Sequence, residues 1–210
     1  MDVTVGAIAA GAARARKALL DLEQTLNAAD AKLGDGDTGS MLVRLSEAMA
    51  GSGVERAASP SEAFGTLARA AMAATGSSLG TLVATALMTL AKRTRGRDGM
   101  DWTELSGHLA AARDACLARG GAALGDKTVL DALDALATAL DGVSDAPSAH
   151  GKAAAAGEAV LAEFRDRPCR MGRAKFFAER SVGLDDPGML ALVRVSSALS
   201  MLDQTEEQRT

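Results

Sequence analysis

The chain has 210 residues, 48% of them hydrophobic but only 2% aromatic, with one Trp and no Tyr, and a formal charge of −4. A core of Ala, Leu, Val and Met suits close-packed helices better than a β-sandwich, and the acidic balance argues against nucleic-acid binding, which needs a concentrated positive field. No basic-then-apolar leader and no run of 18 apolar residues is visible, and the two cysteines, Cys116 and Cys169, stand far apart with no CxxC pair, so the expectation is a cytoplasmic protein with no membrane span and no disulfide.

In chain order, Ile8, Ala12, Ala15, Leu19, Leu22 and Leu26 step by four and three, which predicts one face of an amphipathic helix. It ends just before a turn, "AADAKLGDGDTGSML", that places Asp30, Asp35 and Asp37 within eight positions among Gly34, Gly36, Thr38, Gly39 and Ser40. A second helix is predicted from Thr38 or Gly39 through Met41, Leu42, Leu45 and Met49. "GSGVERAASP" reads as a linker, with Ser59 or Ser61 capping a third helix around Pro60 that reaches about Ala74. After the break "ATGSSLG", the run "TLVATALMTLA" is apolar on all sides, which predicts a buried helix. "RTRGRDGM" reads as a charged surface turn. Leu105, Leu109, Ala112 and Cys116 mark a fifth helix, and "ARGGAALGDKT" is a second glycine-rich break. Leu130, Leu133, Leu136 and Leu140 mark a sixth, residues 147–164 a seventh and residues 187–202 the last. Between the last two, "RPCRMGRAKFFAERSVGLDDPG" has no clean period and gathers basic residues. The expectation is an all-α, single-domain antiparallel bundle of about eight helices over 1–210, with a polar tail from about 204.

Three stretches carry candidate chemistry. Carboxylates spaced D-x4-D-x-D on a flexible turn can converge on one point, and they repel one another unless a cation sits between them. Oxygen-only ligands favour Mg²⁺ or Ca²⁺ over zinc. An EF-hand does not fit, because the turn glycine comes one position early and position twelve is Ser46 rather than Glu. "TGSSLGT", with Ser77, Ser78 and Thr81, opens a helix with small residues and hydroxyls, a geometry that lets backbone N–H groups approach an anion, although such turns also simply cap helices. "GDKT", ending at Thr128, repeats that theme. Arg170, Arg173, Lys175 and Arg180 could supply the positive charge that two divalent cations and three carboxylates leave wanting beside ATP. His108 and His150 sit in ordinary helical or linker contexts, and no nucleophilic triad is evident.

Four pieces in register, "LGDGDTGS", "GDKTVLDAL", "GRAKFFAERSVG" and "DDPG", resemble the nucleotide-binding L subunit of dihydroxyacetone kinases and the matching C-terminal domain of the single-chain ATP-dependent enzymes. The resemblance covers nearly the whole chain. It implies an eight-helix antiparallel barrel with nucleotide at one rim, and Asp30, Asp35 and Asp37 as ligands of two Mg²⁺ ions bridged by ATP or ADP phosphates. It further implies Thr38, Ser77, Ser78, Thr128, Arg173, Arg180, Asp186 and Gly188 as nucleotide-binding residues, with no catalytic residue separate from that site. A substrate-binding K-type subunit would hold a small ketose, and a homodimer is left open. Subunits fed by a phosphoenolpyruvate relay carry His and Asn where this sequence has Thr38 and Met41, so the resemblance leans to exchangeable ATP. The alternatives are an ADP-retaining relay subunit and a non-catalytic bundle that holds a lipid or regulates transcription.

Overall fold

The computed structural model describes residues 3–207, and side chains as far as residue 199. Eight α-helices follow one another: α1 (Val5–Asp30), α2 (Thr38–Ala50), α3 (Pro60–Ala74), α4 (Ser78–Arg93), α5 (Leu105–Arg119), α6 (Val129–Ala139), α7 (Ala146–Arg165) and α8 (Pro187–Glu207). Short 3-10 turns occupy Val54–Arg56, Trp102–Glu104 and Arg173–Ser181. Among the described residues the one β-type pairing is an isolated bridge between Val3 and Met100. The all-α expectation holds. α8 runs past its expected end to Glu207, so the tail expected from about 204 begins inside that helix, and its final residues lie outside the described ones.

Each helix packs on its neighbours in sequence, and α8 returns against α1, which closes the set into a barrel. Side-chain ties at the ends of helices show the alternation of direction. Asn27 near the end of α1 bonds Ser40 at the start of α2, and the Ser61 hydroxyl at the start of α3 donates to the carbonyl of Ala91 at the end of α4. Polar caps sit where the pattern breaks. The side chains of Thr4, Ser59, Ser77, Thr128 and Asp145 accept the first free N–H groups of α1, α3, α4, α6 and α7. Ser59, not Ser61, caps α3.

The main core draws Leu19 and Leu26 from α1, Met41, Leu42 and Leu45 from α2, Leu161 and Phe164 from α7, and Met189 and Val193 from α8. Ala71, Ala84 and Ala132 are fully buried at helix crossings, where a small side chain lets backbones approach. α4 corrects the expectation of a helix buried on every side: only Gly80, Ala84 and Ala91 are buried, and the residues between are mostly half-buried. Thr81, Thr85 and Thr89 each turn back to the carbonyl four residues earlier, so the hydroxyls of this half-buried helix are satisfied within it. The charged turn after α4 is also not wholly at the surface, because Thr94 and Met100 are buried within it.

The contact that seats the candidate site is the crossing of α1 and α2. Ser40 Oγ donates to Glu23 Oε1 at 2.7 Å, the Asn27 amide brackets the N–H and hydroxyl of Ser40, and Gly39 lies beneath them. A Cβ on Gly39 would stand 2.8 Å from Asn27 Oδ1 and still closer to the Glu23 carbonyl oxygen. Helix propensity alone favours Ala over Gly by about 1 kcal/mol, whereas forced overlap with a backbone carbonyl costs about 1–3 kcal/mol. Gly39→Ala should therefore lower the melting temperature; an unchanged or raised value would show that α2 shifts without cost.

Candidate functional site

Because the helices alternate, α2, α4, α6 and α8 begin at the same rim at which α1, α3, α5 and α7 end. Four helix N-termini, each with a partial positive charge, therefore surround one end of the barrel. Their convergence is direct at Gly188, where a Cβ would lie 3.4 Å from Val129 Cβ of α6 and 3.7 Å from Leu79 Cδ1 of α4. The loops of this rim are residues 31–37, 75–77, 120–128 and 166–186, and every stretch singled out in the sequence for candidate chemistry lies on or beside one of them.

Asp30 closes α1, and Asp37 stands at the N-cap position of α2. Between them Gly36 takes φ 78°, a turn that side-chain-bearing residues rarely adopt. The Asp30, Asp35 and Asp37 carboxylates each offer one oxygen within 4.8 Å of the other two. Asp30 is buried and its Oδ2 accepts the N–H groups of Asp37 (3.0 Å) and Thr38 (3.2 Å), which pins the turn. Asp37 makes no side-chain bond to cap its helix, so its carboxylate is not consumed by that role. Three hard oxygens so placed fit a divalent cation such as Mg²⁺ or Ca²⁺.

The basic stretch folds as an ordered cover. Arg173 forms an ion pair with Asp35 across the two loops. Beneath that pair, Leu33 of the aspartate turn packs with Cys169 and Ala174, flanked by Phe177 and Leu184. Arg180 lies 5.2 Å over the Phe177 ring. The Arg165 guanidinium holds Asp185 by two bonds of 2.9 and 3.0 Å.

The remaining expected residues divide by role. Ser77 spends its hydroxyl oxygen on the Gly80 N–H (3.0 Å) as the cap of α4, while Ser78 is exposed at the first turn. Thr128 caps α6 through the Leu130 N–H in a reciprocal box with Asp131, which accepts from Thr128 N (2.7 Å) and Gly125 N (2.5 Å). Asp186 caps α8 through the Met189 N–H at 2.9 Å. Thr38 opens α2 beside the aspartates, and Gly188 sits where three helix starts meet. The sequence reading missed Asn27 and Glu23, which latch Ser40, and Lys127, whose fully buried ammonium meets three backbone carbonyls. Asn27 and Glu23 lie three and seven residues ahead of Asp30 on the face of α1 that meets α2; that spacing was the only available signal.

The DAK2 domain family profile matches residues 32–201. The chain is 34% identical over 184 residues to the D-erythrulose kinase of Mycolicibacterium smegmatis, an alignment that covers 84% of this chain and 32% of that protein. It is 31% identical over 164 residues to the ADP-binding subunit DhaL of the PTS-dependent dihydroxyacetone kinase of Lactococcus lactis, covering 78% of this chain and 79% of that subunit. The crystal structure of the dihydroxyacetone kinase of C. freundii in complex with AMP-PNP and Mg²⁺ superposes with a TM-score of 0.71 at 26% identity, over 96% of this chain and 35% of that one. The chain thus spans about a third of the length of the erythrulose kinase and of the C. freundii enzyme, and most of the length of DhaL.

Burial pushes the Asp186 carboxyl up to about 6, against the pull of the Met189 and Gly188 N–H groups and of Lys127. A raised acid favours the folded state most while it is protonated. Its contribution is complete below the ordinary carboxyl value near 3.8 and is lost as pH rises through about 6. Asp186→Asn keeps an oxygen for Met189 but cannot ionise. In melting curves of the ligand-free protein between pH 4 and 7, the variant should gain on the wild type as pH rises and the gap should level off above about 6. A gap independent of pH would mean that Asp186 ionises freely.

Proposed function

We propose that this chain, which belongs to the DAK2 domain family, is the Mg²⁺-dependent nucleotide-binding unit of a kinase acting on a small ketose. The observation that carries this reading is the convergence of Asp30, Asp35 and Asp37 at the rim where four helices begin, with Arg173 reaching the same cluster. Asp30, Asp35 and Asp37 would hold Mg²⁺, which in such a site neutralises phosphate charge and orients the group to be transferred. Ser78 and the N–H groups at the starts of α4 and α8 suit phosphate oxygens, and Arg173 is long enough to turn from Asp35 toward a phosphate. The AMP-PNP and Mg²⁺ named in the C. freundii structure support this assignment. The donor set supports it independently, being all oxygen and anionic.

The acceptor would be a three- or four-carbon sugar presented by a K-type partner, as the names of the erythrulose kinase and of dihydroxyacetone kinase suggest. Phe176, 76% exposed on the cover segment beside Lys175, gives the rim an aromatic contact for such a partner. A relay-coupled mode is the second reading, favoured by the likeness to DhaL; Thr38, where relay subunits carry His, weighs against it.

Mixed with ATP and a panel of trioses and tetroses, the purified chain should turn over only when a K-type subunit is added. Robust turnover by the chain alone would overturn the divided-kinase reading.

Scanning fluorimetry tests the metal site. Mg²⁺ with ATP at about a hundred times the dissociation constant should stabilise the fold by about 2.7 kcal/mol, and either alone by much less. Asp37→Asn should abolish the joint shift and leave the ligand-free protein as stable or slightly more so, because it removes one of three repelling charges. A loop with a purely structural role would give the reverse: a less stable ligand-free variant, and no shift with Mg²⁺ and ATP in either protein.

A further inference from the structure

Lys127 is 1% exposed and stands at φ 61°, the only non-glycine residue with positive φ among those described. It follows a glycine turn and precedes a helix, a setting in which a lysine would be expected to reach for phosphate. Its ammonium points elsewhere. Nζ donates to the carbonyls of Arg165 (2.9 Å), Arg167 (2.7 Å) and Ser181 (2.9 Å). An ammonium has three protons, and three acceptors take them. Arg165 is the last residue of α7 and Arg167 follows it by two, so the ammonium stands at the end of that helix, where the helix dipole favours a cation. The third ends the 3-10 turn that begins at Arg173.

The same anchorage gathers further bonds around it. Gly183 N donates to the Arg165 carbonyl at 2.8 Å and Arg170 N to the Asp126 carbonyl at 3.0 Å. Cys169 N donates to Ser181 Oγ at 2.7 Å, and that hydroxyl donates to Ala178 O at 2.5 Å. Both ends of the cover segment therefore meet at one buried charge, with Arg173 on the span between them. Burial pulls the Lys127 ammonium below the ordinary lysine value, while Asp186, Asp185 and Asp166 help to keep it charged.

We propose that Lys127 is a positioning residue: its ammonium pins segment 166–185 to the start of α6 and thereby sets Arg173 against the aspartate turn, without touching the nucleotide itself. The proposal rests on the reading of the rim as a Mg²⁺–nucleotide site.

The test is a double-mutant cycle on Mg·ADP binding by calorimetry, using the whole chain as wild type, Lys127→Met, Arg173→Ala and the double variant. Lys127→Met should weaken binding about tenfold or more, the scale on which supporting residues of metal sites act. In the Arg173→Ala background it should weaken binding by less than about twofold, because the residue it positions is gone. A merely structural lysine would weaken binding by the same factor in both backgrounds, and that result, or wild-type affinity in Lys127→Met, overturns the proposal. If Lys127→Met does not fold, Ser181→Ala, which loosens the other side of the same anchor, enters the cycle with the same two outcomes. A wild type that does not bind Mg·ADP would instead refute the reading of the rim and this role with it, whereas failure in the variants alone leaves that reading standing.

Discussion

Alternation of helix direction around a closed barrel is the constraint on which the rest of this molecule depends. Segments that follow odd helices, residues 31–37, 75–77, 120–128 and 166–186, fall at one rim; those that follow even helices, 51–59, 94–104 and 140–145, fall at the other. The first group contains the clustered aspartates, the glycine turns and the basic segment. Four helix N-termini open among them, so the backbone itself offers N–H groups and partial positive charge where the side chains are most acidic. An anion bridged to the aspartates by a cation would satisfy both at once.

Holding that rim together is a matter of buried contacts more than of surface charge. The Arg173–Asp35 pair joins two exposed side chains, and pairs of that kind contribute about 0–1 kcal/mol. What fixes the cover segment over the aspartate turn is the packing of Leu33 against Cys169 and Ala174, together with the Lys127 ammonium beneath. Without that ammonium the Arg167 carbonyl would lose its donor, while the Arg165 and Ser181 carbonyls would keep only the N–H groups of Gly183 and Leu184, and an unmet buried bond costs about 1–3 kcal/mol, more than the surface pair contributes. The division is useful for a binding site. The segment is held from below, and the guanidinium on top remains free to change partners.

The barrel wall shows a related economy of means. With so few aromatic residues, the core is closed by Ala and Gly at crossings and by Leu, Val and Met between them. Close crossings demand particular small residues: Gly39 under Glu23 and Asn27, and Gly157 against Val193, whose methyl would stand 2.8 Å from an added Cβ. One of these crossings lies at the rim, so the packing of α1 on α2 and the placement of Asp30, Asp35 and Asp37 are a single feature.

The helices, the cap of α3 as Ser59 or Ser61 and the aspartate turn were legible in the sequence because each is governed by neighbours a few positions away: the three-and-four spacing of Leu and Ala, the serines flanking Pro60, three Asp among glycines. Even the shared rim follows from counting helices, once short connections make neighbours antiparallel. Other features were decided only by tertiary structure. α4 reads as buried on every side, yet most of it is half-buried, with its threonine hydroxyls satisfied within the helix. Thr128 and Ser77 read either as phosphate contacts or as caps, and the fold shows their hydroxyl oxygens accepting the cap N–H groups, which leaves each O–H proton to donate elsewhere. Lys127 looks like one more polar residue in a glycine turn, and its meaning depends on carbonyls 38, 40 and 54 positions away. Local pattern records what a residue does to its own helix; a buried charge is defined by the groups that surround it, and those come from distant parts of the chain.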